Sequence, residues 1–116
     1  MPPRPLTLEV DRSDDGAPRL VIGGEIDLAT APELEEAAGA LLDERPRALV
    51  LDFSGVPFCD SSGVGVLVRL YNRTTVIRCR LTVRNPTQNV RTVLDMTSLT
   101  RILRIEDGQP DPSNAP

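Results

Sequence analysis

From Arg19 onward, segments patterned as strands and segments patterned as helices follow one another in turn. This alternation constrains the fold more than any other feature of the chain. A strand, a helix and another strand in succession make a crossover that leaves the two strands parallel, almost always with right-handed sense. Residues 6–10 (LTLEV) alternate apolar and polar side chains, as a half-buried strand does. The turn-forming stretch RSDDGAP separates them from residues 19–26 (RLVIGGEI), so these two strands are expected to pair antiparallel. Residues 48–53 (ALVLDF) form a continuous apolar run, the pattern of a central strand covered on both faces. Residues 79–83 (CRLTV) and 101–105 (RILRI) read as the last two strands. The expected order is β-β-α-β-α-β-α-β: an α/β fold with a four- to five-stranded mixed sheet and helices packed on it.

Thr30 and Glu33 open the first helix with the spacing of a Ser/Thr-x-x-Glu capping box, and Pro32 lies in the first turn, where no N–H is needed. Leu34, Ala37, Ala38, Leu41 and Leu42 recur at helical spacing, and Pro46 ends the helix. The second helix is expected to start near Ser61 or Ser62 and to bury Val64, Leu67, Val68 and Tyr71. Gly63 and Gly65 are poor helix formers, which points to close backbone approach by a neighbour or a partner. Asn85 before Pro86 reads as the N-cap of a third helix, with Val90, Val93 and Leu94 on its inner face. Residues 1–5 and 107–116 are Pro-rich and expected to be loose, leaving one domain over residues 6–106.

What the chain lacks narrows its function. Its 116 residues carry a net charge of -4, which argues against a nucleic-acid partner. All basic residues are Arg, and there is no His and no Lys, so the commonest general base and the commonest metal ligand are missing, and with them every Ser-His or Cys-His nucleophile arrangement. No enzyme, cofactor or metal site is expected. No run approaches the ~20 apolar residues of a membrane span, and the first residues lack the apolar core of a secretory signal. The expectation is a cytoplasmic protein with no membrane partner. Cys59 and Cys79 are too far apart for a C-x-x-C motif and ill placed for a disulfide, so both are expected as buried thiols. Arg69, Arg73, Arg78, Arg80 and Arg84 read as a solvated face. Asp52 reads as a strand-end carboxylate bonding loop N–H groups.

The chemically loaded junction is Asp60-Ser61-Ser62-Gly63, after the carboxyl end of the apolar strand and at the start of a helix. Functional sites of α/β sheets collect at that edge. Three readings compete. Asp60 or Ser61 caps the helix and nothing more; a serine acts as a nucleophile; or an exposed hydroxyl accepts a phosphoryl group. The second lacks a base, and the Gly-x-Ser-x-Gly elbow is absent. The third sets a favourable helix dipole against the charge of Asp60.

The stretch LVLDFSGVPFCDSSGVGVL, with Asp52, Ser54, Phe58, Asp60, Ser61 and Gly63 in one run, closely resembles the signature of the STAS domain in the bacterial anti-sigma factor antagonist family. GGEIDLATAPEL and NPTQNVRTVLDMTSLTRIL resemble two further stretches of that family, so the resemblance covers residues 6–106. It implies a binding protein whose serine after the Asp, here Ser61, is phosphorylated by an anti-sigma factor that is a Ser/Thr kinase. The unphosphorylated form binds that partner and frees a sigma factor, and a metal-dependent phosphatase resets it. The partner-binding surface it implies takes in Asp27, Thr30, Asp60, Ser61, Ser62, Gly63 and Gly65. Ser62 is the runner-up acceptor, with local capping as its simpler role. The alternative is a STAS docking module with no phosphorylation cycle, a transporter subunit or a stress-complex scaffold. Three positions depart from the family pattern: Ile77-Arg78 replaces a Gly pair, so that turn is expected to differ; Ser98 stands where Gly ends the third helix; Cys59 replaces an aliphatic residue.

Overall fold

The computed structural model describes residues 6–12 and 17–107. The expected loose ends at 1–5 and 108–116 lie outside the described residues. Asp107, which the sequence assigns to the tail, instead pairs with Arg91. In chain order the elements are β1 (Thr7–Asp11), β2 (Arg19–Gly23), α1 (Ala31–Leu42), β3 (Ala48–Gly55), α2 (Ser61–Val76), β4 (Arg80–Arg84), α3 (Gln88–Met96), a 3-10 turn (Leu99–Arg101) and β5 (Arg104–Glu106). The strands lie side by side in sequence order; β1 pairs antiparallel with β2, and every later pair is parallel.

That order decides where the helices go. Each right-handed crossover steps to the next strand in the same direction, which puts α1, α2 and α3 on one face. Burial follows. Leu20 and Ile22 of β2, Leu49, Leu51 and Phe53 of β3, and Leu81 and Val83 of β4 point into an aliphatic core with Leu34 and Leu42 of α1 and Leu67 and Leu70 of α2. β3 is central, as its apolar run requires, but it is not covered by helices on both faces. Val50 lies on the open face and is half-buried between its register partners Arg19 and Thr82, whose side chains shield it. An apolar side chain at that position needs only neighbouring strands, not a second layer.

Local signals at the helix starts are resolved differently from expectation. Thr30 makes no side-chain cap bond to α1. Its hydroxyl donates to the Glu25 carbonyl at 2.8 Å, while the carboxylate of Asp27 accepts from the N–H groups of Ala29 (2.9 Å) and Thr30 (3.0 Å). Asp27 takes the Thr30 N–H that Glu33 would have accepted, and the Glu33 N–H goes to the Thr30 carbonyl at 2.9 Å. Asn85 is not the cap of α3 either. It adopts a left-handed backbone (φ 54°), which Asn tolerates and Pro86 encourages by disfavouring the helical region, and its N–H donates to the Glu106 carbonyl at 2.8 Å. The helix begins three residues later, at Gln88.

The turn after α2 keeps a left-handed residue, with Arg78 itself at φ 57°, and Ser98 takes the same conformation (φ 62°) after α3. The substitutions for glycine therefore leave both turns left-handed and put side chains in them. Arg69 and Arg73 are not simply solvated. They bridge α2 to Glu35 and Asp43 on and after α1, while Arg84 pairs with Glu106 across β4 and β5.

Candidate functional site

The sequence between β3 and α2 forms a loop whose shape is fixed from two sides. On one side, Ile26 and Cys59 form a parallel bridge: the Ile26 N–H donates to the Phe58 carbonyl at 2.9 Å, and the Asp60 N–H donates to the Ile26 carbonyl at 3.0 Å. On the other, the Thr87 hydroxyl donates to the Val56 carbonyl at 2.7 Å, and the Asn89 amide donates to the Pro57 carbonyl at 3.2 Å. Nothing in the local sequence signals these four bonds, because each joins segments distant along the chain. They hold the start of α2 against both the β2–α1 loop and α3. Asp27 and Asp60 each follow a bridged residue, so the two carboxylates flank the same junction.

Asp60 is the N-cap of α2. Its backbone is extended, and its carboxylate accepts the Ser62 N–H at 2.8 Å. Its carbonyl accepts from Gly63 (3.0 Å) and Val64 (3.2 Å). One residue thus satisfies two of the donors that a helix start leaves open, those of Ser62 and Gly63, and accepts the first regular helix bond from Val64. Ser62 supplies an N–H to this cap and is not itself the cap. Ser61 is exposed at the first helical position, and its hydroxyl has no hydrogen-bond partner among the described residues.

The other expected partner-binding residues divide. Ser61 and Gly65 line a shallow groove between α1 and α2, with Ser62 beside them, and Leu28 at its rim is 79% exposed. Phe58, two residues before Asp60, is 45% exposed. These two apolar side chains were missed by the reading of the motif, although an exposed Phe in a loop is a fair signal of a contact surface. Asp27 and Asp60 are half-buried at the edge of the face. Thr30 and Gly63 lie beneath this face and not on it. Thr30 is buried with its hydroxyl engaged, and Gly63 is buried against Cys59 and Ile26, so both support the surface from beneath.

Asp52 is buried, and its carboxylate accepts from the N–H (2.9 Å) and hydroxyl (2.7 Å) of Ser54. It bonds the backbone as expected, though β3 continues past it to Gly55. Cys59 and Cys79 are free and buried. Burial, with the Asp60 charge second, pushes the Cys59 thiol up to about 11. Among the described residues no cluster of His, Cys, Asp and Glu is arranged to hold a metal ion, and no helix is long and apolar enough to cross a membrane.

Comparisons place this geometry among known proteins. The family model described as "Mlab, STAS domain" matches residues 10–104. Over 53 residues the chain is 51% identical to the anti-sigma-F factor antagonist RsfB of Mycobacterium tuberculosis; the match takes in 46% of this chain and only 43% of that protein. It is 25% identical over 87 residues to the anti-sigma-B factor antagonist of Staphylococcus epidermidis, covering 75% of this chain and 81% of the relative. The crystal structure of an anti-sigma factor antagonist from Mycobacterium paratuberculosis superposes with a TM-score of 0.80 at 30% identity, covering 94% of this chain and 89% of that one. Fold and matched length agree: the chain belongs to the STAS domain family, the family of the anti-sigma factor antagonists.

Proposed function

We propose that this STAS domain is an anti-sigma factor antagonist that docks on an anti-sigma factor through the face around Ser61 and is switched off by phosphorylation of Ser61. The observation that carries the reading is the division of labour at the start of α2. Asp60 does the capping, so the exposed, unbonded Ser61 hydroxyl has no structural duty there. The exposed apolar side chains of Leu28 and Phe58 beside it suit a binding surface. In the transfer step the Ser61 oxygen forms a bond to the γ-phosphorus of ATP, ADP leaves, and the hydroxyl proton goes to a base of the kinase. ATP belongs to the partner kinase, and a metal-dependent phosphatase reverses the modification. The reading makes the chain a cytoplasmic binding protein and kinase substrate.

The switch needs no large motion. A phosphoryl group adds about 1.5 to 2 negative charges. At roughly 6 Å and an effective dielectric near 20, each unit charge facing a carboxylate costs about 3 kcal/mol before screening. A third of that weakens binding several-fold, and burial in an interface adds desolvation.

The test is phosphoryl transfer. Wild type, Ser61→Ala and Ser62→Ala are incubated with ATP and each anti-sigma-type kinase of the source cell, then mapped by mass. One phosphoryl group on wild type and Ser62→Ala, and none on Ser61→Ala, is the expected result. No incorporation with any active kinase moves the reading to a docking module that uses the same surface without a phosphorylation cycle.

A further inference from the structure

We propose that Arg69 is the phosphate-binding residue of the Ser61 site: a phosphoryl group on Ser61 draws the guanidinium from Glu35 and seats between α1 and α2. The inference rests on the reading of Ser61 as the acceptor. Ser61, Gly65 and Arg69 are spaced four residues apart and line one face of α2, where side chains lean toward the helix N-terminus. Arg69 follows that lean. Its Nη1 lies 3.2 Å from the point where a Cβ on Gly65 would stand. The absent side chain at Gly65 keeps the lane from Arg69 to Ser61 open, and all three residues line the same groove. Among the groove's lining residues Arg69 is the one cation and Glu35 the one anion.

The ordinary anion receptor of a helix start is largely occupied, with only the N–H of Ser61 itself left without a partner among the described residues. The Ser62 N–H goes to the Asp60 carboxylate, and the Gly63 and Val64 N–H groups go to the Asp60 carbonyl. A phosphoryl group on Ser61 therefore enters a junction with few free donors, flanked by the carboxylates of Asp60 and Asp27. A cation must come from a side chain. Ser61 and Arg69 are eight residues apart, roughly 12 Å along the axis. Arg69 Nη1 already stands beside the Gly65 position, so the gap left to Ser61 is one step of four residues, about 5–6 Å between Cβ positions, which the phosphoryl oxygens and the guanidinium close. Glu35 now accepts from Arg69 Nε (2.8 Å) and Nη2 (2.9 Å), leaving Nη1 turned toward Gly65. The pair is bidentate but exposed on both sides, so solvent screens it and a stronger anion can compete for the guanidinium. A phosphoserine dianion offers more charge and three strong acceptor oxygens, so it outcompetes the carboxylate. Glu35 is released as the phosphate binds. The state of Ser61 is then felt on α1 as well as on α2.

Phosphoserine placed at position 61 during translation tests this without any kinase. A phosphorus NMR titration reads its second pKa in wild type, R69Q and E35Q. The charged groups facing it are Asp27, Asp60, Glu35 and Arg69. Wild type is expected to titrate about half a unit below R69Q, a roughly threefold difference in proton affinity. E35Q, which frees Arg69, is expected to titrate lower still. The Arg69 Nε resonance of wild type, which needs no variant, is expected to move on phosphorylation. Equal pKa values in wild type and R69Q, or a stationary Nε signal, overturn the proposal. Either failure leaves the kinase assay standing, so loss of Arg69 as receptor and loss of Ser61 as acceptor are told apart.

Discussion

Gly63 packs so closely on Cys59 that a Cβ placed on it would overlap the sulfur, and it would stand 2.8 Å from Cγ2 of Ile26. The glycine at this turn of α2 is therefore required by the bridge between Ile26 and Cys59 beneath it. Gly63→Ala is expected to lower stability by up to about 2 kcal/mol, the roughly 1–3 kcal/mol cost of overpacking less the roughly 1 kcal/mol that alanine adds to a helix. Cys59→Ala removes the sulfur but leaves Ile26. The double variant is expected to recover part of the loss, with a coupling of at least about 0.5 kcal/mol in urea unfolding. Strict additivity would show that the two residues do not share this contact.

Gly65, two residues on, behaves oppositely. A Cβ there meets only the far end of the flexible Arg69 side chain, at 3.2 Å. Gly65→Ala is expected to raise stability by about 0.5–1 kcal/mol through helix propensity. The same methyl narrows the groove beside Ser61, so binding of the proposed anti-sigma factor partner is expected to weaken while the melting temperature rises. A variant that gains stability and binds as wild type would remove Gly65 from the contact surface.

The contrast between these glycines shows where sequence reading stops. Both stand in the same GVG context, and only the Ile26–Cys59 bridge, which joins residues far apart in the chain, separates them. Period and turn chemistry are local, so the strands, the existence of the helices and the position of Ser61 were legible, but the inner face of α2 was not: Val68, expected in it, is exposed, and Val66 and Leu70 are buried in its place. Choices among competing local partners were not. Thr30 and Glu33 have capping-box spacing, yet Asp27 takes the Thr30 N–H and the Thr30 hydroxyl turns to the Glu25 carbonyl. Asn85-Pro86 has the form of a helix start, yet pairing of Asn85 with Glu106 beside β5 delays the helix to Gln88. The open face of the sheet follows from strand order, which no single apolar run such as that around Val50 encodes.

Burial holds the Cys59 thiol neutral up to about pH 11, against an ordinary value of 9.0. The unfolded chain loses this proton above about pH 9, while the folded chain keeps it until about 11. Fewer protons on the unfolded state mean that stability falls as pH rises through this window, on the order of 2 kcal/mol in all. Cys59→Ala is expected to flatten the stability curve between pH 9 and 11. Below pH 8 a thiol reagent is expected to label native Cys59 only as fast as the loop opens. Rapid labelling of the folded protein would contradict this burial.

Arg78 and Ser98 hold left-handed backbone conformations at φ 57° and 62°, where a Cβ crowds the neighbouring carbonyl. Arg78→Gly and Ser98→Gly are each expected to raise stability by up to about 1 kcal/mol, with additive effects because the turns close different helices. Equilibrium unfolding of both singles and the double checks this. A loss of stability at either site would mean that the side chain has a partner stronger than the strain.

The cap and the charge of Asp60 can be separated. Asp60→Ala removes the acceptor for the Ser62 N–H and is expected to lower stability by about 0.5–2 kcal/mol. Asp60→Asn keeps an oxygen in place and is expected to fold within a few tenths of a kcal/mol of wild type. It also removes the carboxylate beside Ser61. If the negative charge opposes a phosphoryl group on Ser61, phosphoserine at position 61 is expected to have a lower second pKa in Asp60→Asn than in wild type, by about half a unit. A lowered pKa with unchanged stability assigns Asp60 two independent roles, helix cap and electrostatic neighbour. An unchanged pKa would leave Asp60 with the cap alone and shift the repulsive role to Asp27.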